Sequence, residues 1–289
     1  MQQSPTGVAH TPSNPDSYRA KARNPPYLTL LAKLPFRQKT SHRHLPTSST
    51  IPIPYTPHSQ TTSMPNSYRE EIEQLFPWIP PTRVDLLLQL PALYADWNAK
   101  INLISRKDID ALMPHHVYHS LCIGACYPLA AGTTALDFGT GGGFPGIPLA
   151  IAFPDVQFHL IDSVGKKVRV VEDIAQQLGL TNVTTQQVRG EELTGHYTYV
   201  VSRAVAELSQ LWRWVRPLLP PVDNLPQPNG LLALKGGDFL HRELAPFGKR
   251  IQTWPLRQII DSDYYDEKFL IFVPAAAERA WGHKSRQVR

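Results

Sequence analysis

Cysteine is almost missing from this 289-residue chain: only Cys122 and Cys126 occur. Two thiols cannot make a disulfide framework, which argues against a small secreted domain. Their spacing puts them one helical turn apart and invites a redox or metal reading. The simpler expectation is two small apolar residues on a buried helical stripe. Long apolar runs are missing too. None approaches the roughly 18–20 residues that cross a bilayer, so no transmembrane helix and no membrane partner are expected. Acidic residues are nearly absent before Met64, where Asp16 stands against seven Lys and Arg, a local charge of +6. The remaining 226 residues carry −1. The overall +5 therefore belongs to the first 63 residues, and it gives no argument for nucleic-acid binding by the rest.

That first stretch is dense in proline, serine and threonine and has little apolar periodicity. It buries too little apolar surface to offset chain entropy, so residues 1–63 are expected to be a disordered basic extension. Three origins stay open: a misplaced start with translation beginning at Met64, a genuine disordered tail, or an organellar targeting segment. At the other end, residues 276–289 read as a basic tail.

The body between them divides in two. Leu86, Leu90, Leu93, Tyr94 and Trp97 follow helical spacing over Thr82–Ile101, with a kink expected at Pro91. A second helix is expected from Lys107 to about Tyr127, broken at Pro114. Residues 64–130 thus read as an all-α cap. From 131 to 275, short apolar runs alternate with amphipathic stretches. Strands are expected at Thr134–Phe138, Val156–Ile161, Val183–Val188, Tyr197–Ser202 and Leu231–Leu234, with helices near 147–153, 164–178 and 206–215. Late runs at Ile251–Trp254 and Phe269–Val273 are expected to close the sheet as a hairpin. This alternation predicts an α/β fold with a doubly wound, mostly parallel sheet, whose ligands bind beyond the strand tips.

The chemistry gathers at those tips. The run from Asp137 to Gly146 turns sharply from strand to helix through Gly139, Gly141, Gly142 and Gly143. Residues without Cβ let the backbone come close to a ligand. Asp162 ends the next strand, placed to accept hydrogen bonds from both hydroxyls of a ribose. Glu191 follows the third strand, on the far side of an adenosine. Gly141-x-Gly143-x-x-Gly146 formally meets the dinucleotide fingerprint, with Asp162 nineteen residues past Gly143. S-adenosylmethionine is the better candidate. Asp137 suits a methionine ammonium group, directly or through water, and would repel a pyrophosphate. The chain beyond the turn is also short for a second nucleotide-binding half.

Seven segments together resemble one family. They are Asn102-Leu-Ile-Ser105, His116-x-x-x-Ser120, Asp137-Phe-Gly-Thr-Gly-Gly-Gly-Phe-Pro-Gly-Ile-Pro148, Asp162-Ser-Val-Gly-Lys-Lys167, Arg189-Gly-Glu-Glu192, Val201-Ser-Arg-Ala204 and Leu234-Lys-Gly236. In order and spacing, from about Met64 to Phe272, they look like the glucose-inhibited division protein B family, bacterial methyltransferases of guanine N7 in small-subunit (16S) ribosomal RNA. The resemblance implies a class I (Rossmann-like) methyltransferase domain with S-adenosyl-L-methionine as cofactor. It implies 16S ribosomal RNA or the small subunit as partner, a cytoplasmic location, and a monomer. It also implies that Gly139 and Phe144 line the cofactor pocket and that Gly190 and Glu191 meet the adenine end. Arg203 would face cofactor and guanine as the catalytic residue, with Lys235 a weaker carry-over. His115 and His119 depart from the family, where Arg and Asp are common.

Guanine N7 carries an in-plane lone pair, so no general base is required, and alignment and water exclusion would carry the catalysis. Arg203 is suited to guanine's O6/N7 edge; the competing reading is a structural ion pair. His115, His116 and His119 share a helix face, but no thiol or carboxylate completes a metal set, and no metal is expected. His116 reads as a partner of the loop over the cofactor or as a core histidine, and Trp212 and Trp214 as packing. Lys166-Lys167-x-Arg169 could hold phosphate at a helix N-terminus, as could Arg106-Lys107, Lys249-Arg250 and Lys284, Arg286 and Arg289; an ordinary solvated face is the alternative for the first. The rival functions are a nicotinamide-dependent oxidoreductase, a non-catalytic RNA-binding module and a small-molecule methyltransferase.

Overall fold

A computed structural model describes residues 66–276, with 102, 106, 107, 238 and 239 excepted. The expectations for residues 1–63, for the C-terminal tail and for Arg106-Lys107 lie outside the described residues, as does the side chain of Lys249.

Five strands run parallel: β1 (Thr134–Phe138), β2 (Gln157–Asp162), β3 (Val183–Gln187), β4 (Tyr199–Arg203) and β5 (Gly230–Gly236). With β6 (Gln252–Pro255) and β7 (Lys268–Pro274) they form one seven-stranded sheet in the order β3-β2-β1-β4-β5-β7-β6. β6 and β7 pair antiparallel, as a hairpin should, but β7 is inserted between β5 and β6. The expected doubly wound, mostly parallel sheet is found. The chain winds outward from β1 in both directions, so β1 and β4 adjoin at the point where strand order reverses.

Alternation along the strands divides the core. Ala135, Phe158, Leu160, Tyr199, Val201 and Leu232 face one side, against α5 (Gly146–Ala152), α6 (Gly165–Gln177) and the helical cap. Leu136, Phe138, Val200 and Leu231 face the other, against α7 (Leu208–Val215). By this alternation Asp137 falls on the α5 side, where apolar residues otherwise stand. A further α-helix of the body, α8 (Leu240–Leu244), follows β5.

The cap differs from expectation in its breaks. An additional helix, α1 (Asn66–Leu75), opens it; Tyr68, Ile72 and Leu75 stand at helical spacing there. The segment expected as one kinked helix is two, α2 (Pro81–Leu87) and α3 (Leu90–Lys100). Pro91 lies in the first turn of α3, where a missing N–H costs nothing, so the break precedes it. The second cap helix starts at Met113. It opens as a wide π-helical turn over Met113–Tyr118 and tightens into α4 (His119–Cys126). Pro114 sits in its first turn and breaks nothing. Cys122 and Cys126 lie on α4 as unpaired thiols, and burial pushes both thiol pKa values up. Among the described residues no helix is long and apolar enough to cross a membrane.

Tyr94 and Trp97 tie the cap to the glycine turn and to α6. Tyr94 donates its hydroxyl to the Gly142 carbonyl at 2.6 Å, and Trp97 Nε1 donates to Asp173 Oδ2 at 2.7 Å. The cap thereby holds the glycine turn from behind.

Candidate active site

A cleft of about 480 Å³ opens beyond the carboxyl ends of the parallel strands, within the size range of small-molecule sites. Gly139, Phe144, Asp162, Gly190, Glu191 and Arg203 all line it. Six of the seven residues picked from sequence are thus brought together from separate strand ends.

The floor is the turn after β1. Gly139 has φ +71° and Gly141 φ +58°, values that side-chain-bearing residues rarely adopt. Asp162 ties this turn to β2: its Oδ2 accepts from Gly141 N at 2.9 Å and its Oδ1 from Val164 N at 2.8 Å. The carboxylate expected to hold a ribose therefore already holds two backbone amides, and only its remaining lone pairs face outward. At the far wall, the Phe138 ring packs so closely on Gly190 that a Cβ there would overlap it. Trp214 stacks on Phe138, with centroids 6.0 Å apart and planes at 21°, and itself lines the cleft.

Asp137 corrects an expectation. It does not line the cleft. Fully buried behind the turn, it accepts from Thr140 Oγ1 at 2.5 Å and Gly146 N at 2.8 Å through Oδ2 alone, and Oδ1 has no hydrogen-bond partner. Burial pushes its pKa up to about 7 against these hydrogen bonds. A carboxyl in that position offers no direct contact to an ammonium group in the cleft. The charge argument against a pyrophosphate loses its force with it.

Arg203 ends β4 with its guanidinium largely buried. Nη1 donates to the His115 carbonyl at 3.2 Å and Nη2 to His116 Nδ1 at 2.8 Å, while the guanidinium carbon lies 5.4 Å from the centre of the Phe144 ring. Burial lowers its pKa, but a guanidinium stays charged at any ordinary pH. Among the described residues no carboxylate pairs with it. The structural ion-pair reading accordingly finds no partner. The next residue, Ala204, has φ +56°, a left-handed conformation that costs roughly 1–2 kcal/mol outside glycine. Such strain commonly sits at functional turns.

The three histidines do not converge. His115 stacks on Tyr264 at 3.7 Å between centroids and 6° between planes, with Nδ1 3.3 Å from Asp108 Oδ1. His116 turns to Arg203. His119 is buried with neither ring nitrogen bonded. Among the described residues no group of three or more His, Cys, Asp or Glu side chains is placed to share a metal ion. Lys235 also points elsewhere: it donates to the Ala206 carbonyl at 2.6 Å and pairs with Glu243 at 2.8 Å, where Glu243 also accepts from Leu208 N at the start of α7. Lys167 does reach the cleft, while Lys166 and Arg169 are exposed on α6.

Sequence reasoning missed Trp214 and Tyr264. For Trp214 a signal exists: Leu208, Leu211, Trp212 and Val215 make the apolar stripe of α7, and Trp214 is an aromatic off that stripe. Tyr264 lies in an irregular segment with no periodicity to mark it.

The sequence pattern of rRNA small subunit methyltransferase G (GidB) matches residues 83–255. The chain is 43% identical over 226 residues to the ribosomal RNA small subunit methyltransferase G of Parabacteroides distasonis, covering 77% of this chain and 98% of that protein. It is 44% identical over 223 residues to the one of Porphyromonas gingivalis, with 77% and 98% covered. The chain belongs to the rRNA small subunit methyltransferase G family. A third member, from Bacteroides fragilis, is 44% identical over 218 residues, covering 74% of this chain and 97% of its own. The matched span 83–255 includes the π-helical turn and every cleft residue named above.

Proposed function

We propose that the protein transfers a methyl group from S-adenosyl-L-methionine to N7 of a guanine in 16S ribosomal RNA. The observation that carries this reading is a buried, carboxylate-free arginine facing a glycine-floored cleft in a chain of this family. The cleft suits the cofactor: backbone exposed by Gly139 and Gly141, outward lone pairs of Asp162 for ribose hydroxyls, and an adenine wall of Gly190, Glu191 and Trp214. Asp137 shapes the turn from behind, and any link from it to the amino-acid end runs through water.

S-adenosylmethionine supplies an electrophilic methyl group on a sulfonium. Arg203 directs its guanidinium at guanine O6 and fixes the base edge so that N7 lies in line for the methyl. Since N7 bears no proton, no residue need remove one, and His116 is not asked to act as a base. Phe144, on whose ring the Arg203 guanidinium lies, keeps water from the reacting face, where alignment is worth several kcal/mol. Positive charge passes from the sulfonium to the base as the methyl–sulfur bond breaks and the N7–methyl bond forms, so the part of Arg203 is to hold O6 and align N7, not to stabilise developing negative charge.

In this reading residues 64–130 serve as a cap and 131–275 as the catalytic domain of a cytoplasmic monomer. Lys167 and the exposed Lys166 and Arg169 meet RNA phosphates, giving a modest salt dependence. Calorimetric titration tests the cofactor directly. S-adenosylmethionine should bind with measurable heat and NAD should not; NAD binding in its place returns the oxidoreductase reading.

A further inference from the structure

Arg203 lacks a carboxylate partner among the described residues, yet its fork is held at both ends. Both acceptors come from consecutive residues of one π-helical turn, the His115 carbonyl and the His116 ring. A guanidinium has no lone pair to offer, so His116 Nδ1 must be unprotonated to accept from it, and the ring proton lies on Nε2. That Nε2 is buried without a partner, while the ring packs against Phe144 at 5.1 Å. A buried donor left unbonded costs about 1–3 kcal/mol, which a histidine serving only as filler would not bring. The turn is gripped from its other side as well. Tyr264 donates its hydroxyl to the same His115 carbonyl at 3.2 Å, and Tyr265 donates to the Pro114 carbonyl.

We infer that His116 is a positioning residue for Arg203, its Nδ1 and the adjacent His115 carbonyl fixing the guanidinium fork so that the remaining N–H donors serve the substrate edge. The inference rests on the reading of Arg203 given above. It goes beyond both sequence expectations for His116, a hydrogen-bonded partner of the loop over the cofactor or a core histidine, since the ring's hydrogen bond is to Arg203. The pKa of His116 is pushed down to about 4, first by burial and then by the Arg203 charge, consistent with a neutral ring beside a cation.

The test is a kinetic matrix on the full-length protein, with labelled cofactor and unmethylated small subunits. His116→Ala should lower kcat about tenfold while KM for the cofactor stays within about twofold, since only the fork loses its support. His116→Asn puts an acceptor oxygen where Nδ1 stood and should recover most of that loss. In an Arg203→Lys background, which keeps the charge without the fork, the His116→Ala penalty should shrink to under about twofold. Thermal melts of each variant report whether the fold survives. If Arg203→Lys and Arg203→Ala keep wild-type activity, the reading of Arg203 falls. Suppose instead that those variants are impaired, but His116→Ala stays within about twofold of wild type or its penalty is undiminished in the Arg203→Lys background. The Arg203 reading then stands and the positioning role is overturned.

Discussion

The wall of the cleft under β1 and β2 is built from backbone, and the wall around Arg203 from side chains of distant segments. On the first, Gly139, Gly141 and the amide of Val164 are set by neighbouring turns, with Asp162 tying one turn to the next. On the second, Arg203 from β4 meets His115 and His116 from the cap, which Tyr264 and Tyr265 hold from the connection between β6 and β7. A local, backbone-built wall tolerates change in side chains but not in its glycines. A wall assembled over long range depends on single side chains, and its geometry fails wherever one of them is lost.

The largest effect expected on this contrast is at Arg203. Arg203→Ala should cut kcat/KM by about 10²-fold, the scale of losing the alignment of a reacting group, with the melting temperature near wild type; steady-state kinetics with labelled cofactor measure it. Gly190→Ala probes the opposite wall. The added methyl meets the Phe138 ring, so overpacking of about 1–3 kcal/mol should weaken cofactor binding about tenfold in calorimetry while kcat at saturation changes little. Equal losses in kcat for both variants would dissolve the distinction between the walls.

Asp137 yields a prediction in pH. Its folded pKa of about 7 lies above the unfolded value, so the folded chain binds the extra proton. The stability this contributes is fully present below about pH 4 and is lost as pH rises through about 7. Across that window the stability of wild type relative to Asp137→Asn should fall by on the order of 4 kcal/mol, read by urea unfolding at a series of pH values. A pH-independent difference would mean that the carboxyl is ionised behind the turn. The smallest effect is expected at Tyr264→Phe. It removes one hydroxyl bond to the His115 carbonyl and keeps the ring on His115, so kcat should fall only about two- to threefold.

The same contrast explains what the amino-acid sequence could disclose. β1 to β5, the glycine turn and the ends of β2 and β4 follow from short-range periodicity and from glycine placement, and their observed bounds lie close to those expected. Asp137 is legible in the sequence as an acid at the mouth of the turn; that it faces α5 and Gly146 depends on the strand's alternation against the cap. The π-helical turn has no sequence signature, because Pro114 reads as a break until it is placed in a first turn. Tyr264 comes to His115 across 149 residues, and no local pattern encodes such a contact. β7 lies beside β5 because tertiary pairing, not hairpin chemistry, decides which neighbour completes the sheet.

Methyl transfer to ribosomal RNA tests the central claim most directly. Unmethylated small subunits and their 16S RNA would be incubated with labelled S-adenosylmethionine and wild-type or Arg203→Ala protein, and the product mapped by cleavage at N7-methylguanine. The account predicts label at N7 of guanine in 16S RNA with wild-type protein and a rate about a hundredfold lower with the variant. Absence of transfer to RNA by a protein that binds the cofactor, label on another atom, or equal rates for the two proteins would contradict it.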